Sequence, residues 1–118
     1  MTTEITFPGY VAGNNGPKGL LRMNWRKRNK LRDTYVWWVK SKTKNRHAGA
    51  VRFTLTRYSS GVEMDYDNLV STGKLTGDAL VIAGVIADDN KSVIQERVYK
   101  QVKASKGDQK TVILIEDM

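Results

Sequence analysis

Four aspartates, Asp65, Asp67, Asp88 and Asp89, and one lysine, Lys74, are the side chains whose types and spacing could do chemistry. Asp65 and Asp67 stand two apart, before a helix expected to begin near Asp67 or Asn68. Both carboxylates can then lie on one side, close to the positive end of the helix dipole. If the chain after Gly84 returns to a sheet beside that helix, Asp88 or Asp89 converges on the first pair. Carboxylates held together repel, and each raises the pKa of its neighbours. A hard divalent cation relieves that repulsion, and all-oxygen coordination suits Mg2+ or Mn2+ rather than zinc. Such an ion activates water and stabilises the charge that develops on a transferring phosphoryl group. Each feature also has a plain structural explanation, Asp67 as a helix N-cap and Asp88-Asp89-Asn90 as a turn. Asp67, Ser71, Lys74 and Asp78 share one helical side, where Asp78 could simply pair with Lys74.

Other chemistries are excluded by composition. The chain has no cysteine and a single histidine, His47, so disulfides, iron–sulfur clusters and sites needing two imidazoles are ruled out. The opening MTTEITFPGY has neither a basic region nor an apolar run, so no signal peptide is expected. The longest apolar stretch, Ala79 to Ala87 interrupted by Gly84, falls far short of the ~20 residues a membrane span needs. A cytoplasmic setting, no membrane and no small organic cofactor are the expectations.

Charge points to a partner. Twenty Lys and Arg stand against 12 Asp and Glu, a net of +8. Residues 1–47 carry 11 basic and 2 acidic side chains, a net of +9, whereas residues 48–118 carry 9 and 10, a net of −1. A localised basic surface suits a polyanion, because each neutralised phosphate releases condensed counterions. Lys18, Arg22, Arg26, Lys27, Arg28 and Lys30 are the candidate DNA contacts; the rival reading is a solvated helix face.

The elements that must position these groups follow from periodicity. Ile5 to Phe7 belongs to a first strand closed by Pro8-Gly9, and residues 10–23 form a glycine-rich loop. Asn24 to Lys44 reads as a helix in which Leu31, Tyr35, Trp38 and Lys42 share one side. Arg28, Arg32, Val39 and Arg46 fall on another stripe, expected to turn its basic groups outward while the aromatics pack, and Trp37 lies off the packed stripe, facing a dimer partner or DNA. Ala50 to Tyr58 alternates as a half-buried strand. A second helix runs to about Ala83, with Gly73 and Gly77 able to bend or interrupt it. Strands near Val93–Val102 and Val112 onward complete the order β, loop, α, β, α, β, β. The expectation is one α+β domain over residues 1–118, a mixed sheet of about four strands with two main helices packed on it.

With these elements placed, Met64-Asp65-Tyr66-Asp67-Asn68-Leu69, then Lys74, Asp78-Ala79-Leu80, Gly84 and Asp88-Asp89, resemble the D-x-D-N-L … K … D-A-L … G … D-D core of RusA-like Holliday junction resolvases. These are small endodeoxyribonucleases often encoded by phages and prophages. The resemblance implies that Asp65, Asp67 and Asp89 bind Mg2+ or Mn2+, with Asp88 auxiliary, and that Lys74 contacts the scissile phosphate. It further implies a homodimer that cuts two opposed strands of a four-way DNA junction, leaving 5′-phosphate and 3′-hydroxyl ends. Asn14-Asn15 is similar to the family's asparagine-bearing loop after the first strand. The step from the second aspartate to the lysine departs from the pattern. Ser71 sits where the family's lysine falls, and Lys74 lies three residues beyond it. A non-catalytic DNA-binding protein or inactive homologue, and a small structural protein, are the rival readings.

Overall fold

A computed structural model describes residues 1–9, 11–13 and 19–118. Its sheet has the order β1-β4-β2-β3, with β1 Thr2–Pro8, β2 Val51–Ser59, β3 Ile94–Lys103 and β4 Lys110–Asp117. β4 runs antiparallel to both β1 and β2, while β2 and β3 are parallel. Antiparallel neighbours can be joined by a short turn, but a parallel pair needs a crossover. Here the crossover is the α2–α3 segment. The expected α+β architecture, a four-stranded mixed sheet with helices packed on it, is what the chain adopts.

Alternation makes the sheet two-faced. Thr3, Ile5 and Phe7, Val51, Phe53 and Leu55, and Thr111, Ile113 and Ile115 are buried against the helices. The residues between them, such as Thr54, Leu114 and Glu116, remain partly exposed on the other face. Trp38 donates its indole N–H to the Thr6 carbonyl, 2.8 Å away, and so occupies part of the outer edge of β1.

α1 spans Trp25–Lys42, and the Asn24 side chain accepts from the Lys27 amide to cap it. Tyr35, Val36 and Val39 are buried, with Leu31 and Trp38 packed beside them. The outward placement of Val39 is therefore corrected: it lies three and four residues from Val36 and Tyr35, so all three share the core side. Arg28 and Arg32 lie on the stripe of Val39, nearer the N-terminus: Arg32 is half-buried, and Arg28 belongs to residues 24–30, which are all exposed. The basic end of the inward stripe thus overhangs the core.

The expected second helix is two helices, α2 Tyr66–Ser71 and α3 Gly73–Ile82, separated at Thr72. The Thr72 hydroxyl donates to the Leu69 carbonyl at 2.6 Å, and the Thr76 hydroxyl donates to the Thr72 carbonyl at 3.1 Å. Such local bonds compete with the regular helical ladder. α3 ends at Gly84 with φ +83°, where the Gly84 and Val85 amides return to the Val81 and Leu80 carbonyls. Among the described residues no helix is long and apolar enough to cross a membrane.

His47, in the α1–β2 connection, is buried within a hydrogen-bond chain. Asn45 donates to the Thr3 hydroxyl at 3.0 Å, which faces His47 Nε2 at 2.7 Å, and His47 Nδ1 meets the Asp117 carboxylate at 2.6 Å.

Candidate functional site

Lys74, Asp78 and Asp89 line one open cleft of about 460 Å³ together with Val70, Gly73, Gly77, Arg97 and Tyr99. Its wall is α3 and its floor is the edge strand β3. Lys74 and Asp78 are one helical turn apart and project on the same side. Two glycines shape the wall. A Cβ on Gly73 would lie 3.2 Å from the Tyr99 hydroxyl and 3.3 Å from its ring, whereas one on Gly77 would meet nothing within 4 Å. Gly73 therefore permits the close approach of α3 to β3, and Gly77 leaves the cleft open.

Asp89 reaches this cleft because its neighbours hold the turn. Asp88 accepts from the Asp89 amide and, through its other oxygen, from the Asn90 side chain, at 2.7 and 3.1 Å. Asn90 Oδ1 accepts from the Ser92 amide and hydroxyl and from the Val93 amide. Arg97, over the Phe53 ring, donates to the Asp89 carbonyl at 2.6 Å. The Asp89 carboxylate itself is exposed and has no hydrogen-bond or ion-pair partner among the described residues.

Burial pushes the Asp78 carboxyl above its ordinary pKa, and the charge of Asp89 adds to the rise, while Arg32 of α1 opposes it. Two acids and a cation from three elements thus act on one another. The expected Lys74–Asp78 bridge does not form among the described residues. The nearby positive charge that acts on Asp78 comes instead from Arg32 on the packed neighbour α1.

The first acidic pair is placed differently. Asp65, not Asp67, caps α2, with its Oδ1 accepting from the Asn68 amide at 2.8 Å. Asp67 lies in the first turn of α2 and is exposed, with no hydrogen-bond or ion-pair partner among the described residues. Ser71, the alternative to Lys74, is buried and donates to the Asn68 carbonyl at 2.6 Å. Neither Asp65 nor Asp67 lines the cleft of Lys74 and Asp89. No three His, Asp or Glu side chains among the described residues stand close enough to hold a metal ion together. The carboxylates offer the all-oxygen chemistry a hard cation takes, without a preassembled cage.

Arg22 ends the short 3-10 turn Leu20–Arg22, and Arg26, Lys27, Arg28 and Lys30 occupy the first turns of α1, all exposed. The first turn of α1 holds no acid, so these cations add to the positive end of the helix dipole instead of being offset. Arg26 lies over the Trp25 ring at 5.3 Å, and Trp37 is 66% exposed. Asn14, Asn15 and Lys18 lie outside the described residues.

Arg97, Tyr99 and Arg32 are the members of this region that sequence reasoning missed. The signal available was register: Arg97, Tyr99 and Gln101 share one side of β3, the side opposite Val98 and Lys100. No protein-family model and no curated protein matches the chain.

Proposed function

We propose that the protein is a metal-dependent, structure-selective DNA endonuclease, similar to the RusA-like resolvases, that cleaves four-way junctions as a homodimer in the cytoplasm. The observation that carries this reading is the convergence of Lys74, Asp78 and Asp89 on one cleft. All three belong to the motif on which the resemblance rests. Arg28 and Arg32 supply the second support, because their stripe leads from the overhanging basic end of α1 to the Asp78 side of that cleft.

In this reading the exposed cations of α1 hold the phosphate backbone and bring a strand across the cleft. Lys74, free of ion pairs among the described residues, neutralises charge on the scissile phosphate as a point charge. Asp65, Asp67 and Asp89 would hold Mg2+ or Mn2+. When bound, that ion supplies an activated water and electrostatic stabilisation of the phosphoryl group. Arg97 keeps the Asp89 backbone in place.

One observation favours a second reading, a DNA-binding protein that does not cut: the acids are not gathered into a group of three. Labelled four-way and linear duplex DNA, incubated with the protein in Mg2+, Mn2+ or EDTA, separates the two. Metal-dependent cutting of the junction that Asp89→Asn abolishes, with junction binding retained, is the expected result. Binding without cutting under every metal condition would leave only the second reading.

A further inference from the structure

The helices cover one face of the sheet, and the opposite face carries an ordered distribution of charge. Its side chains fall into four rows across the strands, read from the pairing register. The first row holds Thr2, Glu116, Arg52 and Glu96, and the second Glu4, Leu114, Thr54 and Val98. The third holds Thr6, Val112, Thr56 and Lys100, and the last Pro8, Lys110, Tyr58 and Val102. Arg52 reaches both Glu116 and Glu96, at 3.2 and 3.6 Å, so one cation serves two carboxylates. With Glu4, that end of the face is acidic. The other end is basic, through Lys100 and Lys110, the latter over the Tyr58 ring at 5.0 Å. Between them sit Leu114, Val112, Val98 and the threonines Thr6, Thr54 and Thr56, and Val102, in the last row, is 41% exposed.

We propose that this open face is the contact between two copies of the chain, related by a two-fold axis lying in the interface and perpendicular to the strands. Face-to-face pairing of identical surfaces requires an in-plane axis. An axis along the strands would stack acidic end on acidic end. The perpendicular axis reverses strand direction, so the first row of one copy meets the last row of the other. Glu116 then faces the partner's Lys110, Lys110 faces the partner's Glu116, Arg52 faces the partner's Tyr58, and Leu114 meets the partner's Val112.

A polyanion does not suit this surface, because Glu4, Glu96 and Glu116 occupy one end and the cations of α1 project elsewhere. The area is adequate. Strands about 4.8 Å apart and rows about 7 Å apart give roughly 500 Å² per copy. Pairing two such faces removes about 1,000 Å² from water, the lower bound for a specific interface.

This surface deepens the dimer named in the proposed function and does not depend on cleavage. Its test is sedimentation velocity on the full chain over a wide concentration range, with circular dichroism to confirm folding. The wild type is expected to dimerise. Lys110→Glu and Glu116→Lys should each weaken dimerisation by about tenfold or more, and the double reversal should restore it. Leu114→Arg should leave a folded monomer, and Trp37→Ala, on α1, should leave the dimer intact. A wild type that stays monomeric overturns the proposal. So does a dimer indifferent to Leu114→Arg, one lost in Trp37→Ala, or single reversals that the double variant fails to rescue. A monomer that cuts junctions overturns this surface alone, and a dimer of this kind that never cuts overturns the nuclease reading alone.

Discussion

Gly77→Ala and Gly73→Ala, two substitutions one turn apart in α3, should move stability in opposite directions. Neither glycine has a positive φ, so alanine fits the backbone at both positions. In a helix interior alanine is favoured over glycine by about 1 kcal/mol. At Gly77 the new methyl meets nothing within 4 Å, so the full gain should appear. At Gly73 the methyl would sit 3.2 Å from the Tyr99 hydroxyl and 3.3 Å from Cε1. Inserting a methyl into a packed contact costs about 1–3 kcal/mol. Gly73 is also the first residue of α3, where the propensity gain is smaller. The expected outcome is about 1 kcal/mol of stabilisation for Gly77→Ala and about 1 kcal/mol of loss for Gly73→Ala. Urea denaturation with a common slope measures both. Tyr99→Phe, which removes the hydroxyl contact, should recover part of the Gly73→Ala loss in a double-mutant cycle. Equal stabilisation of both variants would mean that Tyr99 yields freely and that α3 is not held at its closest approach by Gly73.

Other outcomes follow from the site and from the chain ends. Lys74→Ala should lose about tenfold or more in single-turnover junction cleavage, equivalent to about 1.4 kcal/mol, while Ser71→Ala keeps near-normal cutting. The reverse pattern would assign the phosphate contact to the wrong residue. Changing Arg26, Lys27, Arg28 and Lys30 to Gln should lower the slope of log K against log salt by roughly one per true phosphate contact. An unchanged slope in a folded variant makes this run a solvated face. The hydrogen bond from His47 holds the Asp117 carboxyl below its ordinary pKa of 3.8, helped by the N-terminal ammonium. A carboxyl whose pKa is lowered on folding stabilises above its unfolded pKa, and that contribution disappears as pH falls through the folded value. Melting temperatures between neutral pH and pH 2 should therefore fall less steeply for Asp117→Asn than for the wild type, and parallel curves would refute the assignment.

Local periodicity made much of the fold legible. Val51, Phe53 and Leu55 alternate in the sequence and are buried as alternation requires. Trp38 and Tyr35 lie on the expected side of α1. Val39 was misplaced because its stripe also carries Arg28 and Arg32. The side of a helix depends on angle alone, whereas burial also depends on where the core ends along the axis. The break at Thr72 follows from a hydroxyl bonded within its own turn, which glycine positions only partly signalled. Of the cleft, Lys74, Asp78 and Asp89 stood out as chemistry-bearing residues. Arg97 and Tyr99 did not, because β3 carries polar groups on both sides and its alternation marks no interior. Asp65 rather than Asp67 became the cap because the helix starts at Tyr66, a difference too small for periodicity to resolve.

The order of the strands also governs the sequence of events by which the sheet can close. β2, the α2–α3 crossover and β3 are contiguous in the chain and can assemble without the two other strands. β1 precedes the other strands in sequence, yet among the described residues the strand it pairs with is β4, more than 100 residues away. Ile5 and Phe7 must therefore wait, unpaired, for residues 110–117, which also complete the pairing of β2. Long-range pairing of this kind slows folding and leaves apolar strands exposed to other chains in the interval. A chain in which β4 has yet to dock carries two strands short of a neighbour at once, so the docking of this one strand closes both gaps in the sheet and withdraws both edges from other chains.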